Sequence, residues 1–200
     1  MTRALSLNPA RALVHKAGRP DVRQYVTIEE LRAARELARP RVREFLGLLW
    51  TTGARVSEAL AVRSCDLDTH LQTVNLVTLK QRKKAGRAVP IPGEYFAELL
   101  VIVVNMSVVK GQHDRLDRLF SWSRSRAFEL VRNALMAAGV ERRRAKPMAI
   151  RHGHAIHALQ GGAPLNVLQR NFGHSSIVTT SIYLQVTASD VREAYKRIEW

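Results

Sequence analysis

Met148-Ala149-Ile150-Arg151-His152, Gly173-His174-Ser175 and Thr179-Thr180-Ser181-Ile182-Tyr183, all inside the stretch from Pro147 to Tyr183, decide how the rest of the chain is read. As chemistry they supply a permanent cation (Arg151), a titratable imidazole (His174) and a phenol (Tyr183). Two short helical runs fill the gaps between them. Pro164 suits the first turn of one, and Gly173 suits its C-terminal cap. The pattern restarts at Ser175 or Ser176, so Ile177, Ser181 and Tyr183 are expected on a second short helix. On it the phenol is expected to be exposed beside the arginine and the histidine, facing an anionic partner.

The order and spacing of Arg151-His152, Phe172-Gly173-His174 and Thr179-Thr180-x-x-Tyr183 resemble the catalytic end of the tyrosine recombinases, the phage integrase family. Upstream, Thr52-Gly53-Ala54-Arg55-Val56-Ser57-Glu58 is similar to the family's run at its first catalytic arginine. An arginine that follows glycine at a helix start can present its fork to a phosphate bound there. The plain alternative is a surface arginine paired with Glu58, three residues on. One position departs from the family. It usually has a histidine three residues before the second arginine, and here that residue is Met148.

The rest of the chain agrees with a mainly α fold with a small antiparallel β-sheet. Thr27-Ile28-Glu29-Glu30 reads as a capping box opening a helix, with Ile28, Leu31 and Leu37 on one side. Pro40 ends that helix, and Val42, Phe45, Leu46, Leu48 and Leu49 make the next one largely buried. Asp66 and Asp68 read as structural turn residues. Val74–Thr78 alternates like a strand, and Arg87–Pro92 reads as a second, edge strand. Glu94 to Met106 is apolar on most faces and reads as a core helix. Arg126 to Ala138 is amphipathic, with Phe128, Val131, Leu135 and Met136 inward. His154 and His157 read as helix residues rather than catalysts, and no pair of histidines sits among Cys, Asp or Glu with metal-ligand spacing, so no metal site is expected.

Between the two strands lies the basic run Leu79-Lys80-Gln81-Arg82-Lys83-Lys84-Ala85-Gly86. The resemblance implies a β-hairpin carrying a catalytic lysine, which by spacing from Arg55 is Lys80, with Lys83 and Lys84 as rivals. The alternative is a solvated loop touching phosphates without specificity. Arg82, Lys83, Lys84 and Arg87 here, and Arg142, Arg143 and Arg144 before Pro147, are the expected DNA-backbone contacts.

Composition points the same way. The chain has 200 residues, 46% of them hydrophobic, with 32 Lys+Arg against 17 Asp+Glu and a formal net charge of +15. That is enough apolar content for one buried core, and the charge suits a polyanion such as DNA. The single cysteine, Cys65, excludes an intrachain disulfide framework and fits a reducing compartment. No apolar run approaches the roughly 20 residues of a spanning helix. A cytoplasmic, nucleoid-associated protein is expected. Three parts are anticipated: a basic arm over 1–26, a catalytic domain over 27–186, and a helix over 187–200. The arm either grips phosphates or is a tail; the terminal helix docks on a neighbouring protomer or packs on its own domain.

The resemblance implies DNA cleavage by Tyr183, giving a 3′-phosphotyrosyl link and a free 5′-hydroxyl. Arg55 and Arg151 would hold the phosphate, His174 would bond it, and Lys80 would protonate the leaving oxygen, with no metal or other cofactor. It also implies a homo-oligomer, a tetramer on double-stranded DNA, assembling from a free monomer or dimer. Two other readings stay open: a DNA-binding relative with impaired cleavage, and a nicking-closing enzyme like the type IB topoisomerases. A thioether at Met148 can neither relay a proton nor bond a phosphate well. His152, one helical turn further on, is its nearest substitute by spacing.

Overall fold

The computed structural model describes residues 24–78, 85–110, 114, 116–174, 178–181 and 183. Lys80, Arg82, Lys83, Lys84, Ile177, nearly all of the N-terminal arm and the helix expected over 187–200 lie outside these described residues. The Thr27 side chain accepts from the Glu30 N–H at 3.2 Å, and the Glu30 carboxylate accepts from the Thr27 N–H at 3.0 Å. This capping box opens α1 (Ile28–Leu37), which buries Leu31 and Ala34. Leu37, expected on the same side, is 65% exposed. It stands six residues after Leu31, about 240° round the helix, so Ala34 takes its place.

Pro40 sits in the first turn of α2 (Pro40–Thr52), where its missing N–H costs nothing. This helix is the hub, packing on α1 and on four elements that follow it. These are α3 (Val56–Ala59), α4 (Gly93–Lys110), α5 (Arg124–Ala137) and α6 (Pro147–Gln160). Phe45 points from α2 into a cluster with Phe120 and Trp122, at ring distances of 4.9 and 5.5 Å. Such edge-on aromatic contacts add to the stabilisation from apolar burial.

A three-stranded antiparallel sheet, β1 (Leu67–Asp68), β2 (Thr73–Thr78) and β3 (Ala85–Pro90), lies beside α3 in the order β1-β2-β3. The third strand starts and ends two residues earlier than expected, paired Thr78 to Ala85 and Thr73 to Pro90. Asp66 accepts from the Arg63 N–H, and Asp68 from the N–H groups of His70 and Leu71, which fixes the approach to the sheet as expected.

Two helices bury less than expected. In α4 one face carries Phe96, Leu99 and Ile102 into the core, while Val101, Val104 and Val108 face outward. In α5 the buried positions are Ala127, Val131 and Leu135, spaced one turn apart; Met136, a residue off that line, is 39% exposed. The chain then turns into α6, followed by α7 (Leu165–Phe172) and the short α8 (Val178–Ser181).

Gly153 explains how closely α6 is packed. A Cβ there would lie 2.0 Å from the Val26 carbonyl oxygen and 2.8 Å from the Trp50 ring. The Val26 N–H donates to the Ala149 carbonyl at 3.0 Å, and Val26 is fully buried. The residues just before α1 therefore belong to the body of the domain rather than to an arm.

Candidate active site

Pro147 at the start of α6 sets a helix that presents Met148, Arg151 and His152 within little more than one turn. Arg151 points inward and is only 4% exposed. Its guanidinium donates to the carbonyls of Gly53 and Phe172 and, at 3.1 Å, to Nε2 of His174, and it lies 3.9 Å above the Phe172 ring. Burial, then the charge of Arg55, lowers its pKa to about 10, so it stays charged at neutral pH.

Gly53 makes the first of those bonds available. It ends α2 in the left-handed conformation, with φ of +61°, and a Cβ would meet Phe172 at 2.5 Å and His154 at 2.7 Å. The glycine of the Thr-Gly-x-Arg run thus lets the end of α2 touch the helices carrying the second arginine.

Arg55 follows at the start of α3. Its guanidinium donates to Glu58 at 3.0 Å, and its backbone N–H donates to the same carboxylate at 3.1 Å. Glu58 is buried and also accepts from Arg87 at 2.8 Å. Burial alone would raise the Glu58 carboxyl, but the bond and charge of Arg87, with the Arg55 N–H, hold it below the usual range. The pairing weighed for Arg55 in the sequence is real, yet it aims the guanidinium rather than retiring it. Arg55 keeps 28% of its side chain exposed and shares a cleft of about 310 Å³ with Arg151. Ser57, Arg124, Phe128 and Met148 line the same cleft.

Gly173, left-handed at the end of α7, turns the chain so that His174 faces Arg151. An arginine only donates, so Nε2 of His174 accepts, and Nδ1 carries the proton toward the Thr180 hydroxyl 2.9 Å away. Burial first, then Arg151, Arg55 and Arg87, depress this imidazole to about 4, and it is neutral at pH 7. Both ring nitrogens are engaged within the protein, where the resemblance implied a bond to phosphate.

Tyr183 departs furthest from expectation. It is 5% exposed, packed with Ala155, Ile156, Leu168 and Phe172 rather than standing in solvent. The apolar edges of α6 and α7 claim its ring, while its hydroxyl lies 2.8 Å from Nδ1 of His152. Burial raises the phenol's pKa, partly offset by Arg151 and Arg55, so it is protonated. Burial and then Arg151 lower the pKa of His152, which is neutral too.

The remaining basic residues divide. Arg87 donates to Glu58 and to the Asn171 carbonyl, which ties β3 to α7. Arg144 is held by Glu30 at 2.6 Å and also donates to the Tyr25 carbonyl. These two are structural ties in this state, not open phosphate ligands. Arg142 is exposed, and Arg143 forms a solvent-facing pair with Glu141 at 2.8 Å. Two participants were missed in the sequence. Phe172 is the platform beneath Arg151 and also touches the rings of His154, His174 and Tyr183. Arg124 lines the cleft, and its sequence carried no distinguishing signal.

Comparison with known proteins identifies the family. The phage integrase family pattern matches residues 24–190, and the chain belongs to that family. Tyrosine recombinase XerD of Mycobacterium tuberculosis (strain CDC 1551 / Oshkosh) is 34% identical over 167 residues, 78% of this chain and 51% of XerD. A resolvase of Escherichia coli (strain K12) is 32% identical over 180 residues, covering 76% of this chain and 66% of the resolvase. The XerA recombinase crystal structure superposes with a TM-score of 0.72 at 25% identity, covering 88% of this chain and 66% of XerA. The catalytic domain of bacteriophage HP1 integrase shares the fold, with a TM-score of 0.64 at 23% identity over 86% of this chain and 94% of that domain. The chain spans about half the length of the XerD relatives it matches.

Proposed function

We propose that this chain is the catalytic domain of a site-specific DNA recombinase that cleaves and rejoins strands through a 3′-phosphotyrosyl intermediate on Tyr183. The observation that carries the reading is the shared cleft of Arg55 and Arg151, with Tyr183 bonded to the residue after Arg151. A phosphodiester under attack gathers negative charge on its non-bridging oxygens, and two guanidinium forks can hold it there. A metal does this work elsewhere; here the arginines supply the charge, so cleavage should survive chelators. The covalent link conserves the bond energy, so rejoining needs no nucleotide.

Lys80 is the proposed donor to the leaving oxygen, with Arg82, Lys83 and Lys84 on the same hairpin and Arg142 and Arg143 as backbone contacts. The proposed partner is double-stranded DNA, gripped by a homo-oligomer that becomes a tetramer on its site. The proposed division begins the catalytic domain at Gln24 rather than 27, since Val26 packs on α6, and runs it to 186, between a basic arm and a terminal helix docking in trans. No helix among the described residues is long and apolar enough to cross a membrane. A cytoplasmic, nucleoid-associated location goes with the DNA role.

The test is trapping on a nicked or bridging suicide substrate. Wild-type protein should form a covalent adduct, and Tyr183→Phe should bind DNA equally but form none. An adduct from the phenylalanine variant would mean the nucleophile lies elsewhere. One observation favours a second reading, impaired cleavage. Met148 is 52% exposed and lines the cleft with both arginines, a place suited to a group that bonds phosphate. If Met148→His speeds adduct formation, that reading gains; no change removes its support.

A further inference from the structure

Within that cleavage reaction, and resting on that reading, one contact assigns a role to a residue beside the second arginine. We propose that His152 is the proton acceptor for Tyr183, taking the phenolic proton at Nδ1 as the tyrosine oxygen attacks phosphorus. Nδ1 of His152 lies 2.8 Å from the Tyr183 hydroxyl, within the reach required of a general base. The ring and the phenol are 5.5 Å apart and tilted at 54°, so the contact is made edge-on through the heteroatoms rather than by stacking. Tyr183 is buried, so bulk water has little access to compete for this proton.

Among the described residues the site offers few rival acceptors. His174 has its Nε2 lone pair toward Arg151 and its Nδ1 toward Thr180. His154 has its Nε2 bonded to Asn171 at 3.2 Å and its ring packed on Phe172. Met148 faces the arginine-lined cleft and carries only a weak thioether acceptor. His152 is thus the imidazole on the nucleophile, one turn after the methionine and next to the arginine that holds phosphate.

The charges acting on the His152 ring are Arg151 and Lys146, both on or beside its own helix, and the group it faces from outside that helix is Tyr183. Two cations and burial keep the ring neutral and able to accept. The Nε2–H tautomer, which a neutral histidine ordinarily favours, leaves the Nδ1 lone pair toward the phenol. In the forward step the Tyr183 oxygen forms a bond to phosphorus and its proton passes to Nδ1, making an imidazolium. The phosphorus–O5′ bond breaks, and the departing oxygen keeps the electron pair and takes a proton from Lys80. Rejoining runs the same steps backward, with the imidazolium returning its proton to the phenol.

Single-turnover trapping on a suicide substrate tests the assignment. Wild type forming adduct while Tyr183→Phe does not establishes the underlying reaction first; failure there overturns the recombinase reading and the histidine's role with it, whereas the variants below test the histidine alone. Given that reaction, His152→Ala and His152→Asn should each slow adduct formation about 10²–10⁴-fold with DNA binding unchanged. Asparagine can still hold the phenol by a hydrogen bond but cannot take its proton, so it separates acceptance from positioning. Added imidazoles should restore part of the rate in His152→Ala, with more basic imidazoles restoring more. A His152→Asn variant that cleaves at the wild-type rate overturns the proposal. So does a rescue indifferent to the basicity of the added imidazole.

Discussion

The two arginines lining the cleft belong to walls made by different helices and are built in opposite ways. Arg151 is buried against carbonyls, an imidazole and an aromatic ring, whereas Arg55 leans on a single carboxylate and keeps part of its fork in the open. One wall is core that happens to end at the cleft; the other is a short helix start braced by Glu58 and Arg87. The role proposed for both therefore rests on two different foundations, and perturbing each wall should give a different signature.

Replacing Arg151 gives the largest expected effect. Arg151→Ala leaves the Gly53 and Phe172 carbonyls without their donor and removes the cation above Phe172, and each lost buried bond costs about 1–3 kcal/mol. Cleavage and thermal stability should fall together, and Arg151→Lys should rescue neither, because an ammonium cannot span both carbonyls. Arg55→Ala should lower single-turnover cleavage about 10²–10³-fold, the scale of losing one preorganised donor, with a smaller fall in melting temperature than Arg151→Ala, because Arg87 and the backbone N–H still pair Glu58. A stability loss equal to that of Arg151→Ala would erase the contrast between the walls.

Acid should loosen the Arg151 wall first. His154 is depressed to about 4, with burial the main cause, against an ordinary 6.5. Between those values the unfolded chain binds a proton that the folded chain refuses, so stability falls as pH falls through the window. At 1.36 kcal/mol per unit, the loss approaches about 3 kcal/mol by the bottom of the window. His174 and His152 shift in the same direction, while Glu58 and Glu30, both held low, respond only in more acid solution. Denaturant midpoints taken from pH 7.5 down to 4.5 should decline, and His154→Gln should flatten the decline. The smallest effect separates neighbours in the basic loop. Arg144→Ala, breaking its tie to Glu30, should cost about 1 kcal/mol of stability. Arg143→Ala should leave stability within about 0.5 kcal/mol and reduce the salt dependence of DNA binding by about one charge.

The fold was legible wherever a local rule governs it: the Thr27 capping box, Pro40 and Pro147 at helix starts, the left-handed cap at Gly173 and the alternation of β2. Four separated runs that match one family singled out Arg55, Arg151, His174 and Tyr183, and the fold brings these side chains together. What stayed hidden were the long-range contacts. Nothing near Tyr183 in the chain says that Phe172 and Leu168 will cover its ring, or that its hydroxyl will find His152. Arg144 and Arg143 look alike in sequence, but only one has a carboxylate waiting from a helix more than a hundred residues earlier. Leu37 and Met136 were misassigned by reading hydrophobicity without following the helical angle.

The contact between Val26 and α6 has a mechanical side. The backbone entering α1 is hydrogen-bonded to Ala149, fits over Gly153 where a methyl group would not, and is held at the preceding carbonyl, that of Tyr25, by Arg144. Tension on the chain ahead of Tyr25 would thus load the very helix that carries Arg151 and His152, rather than dissipating in a slack tether. The helix would feel a tug as a displacement beside Tyr183, so the segment entering α1 is geared to the proposed reaction centre.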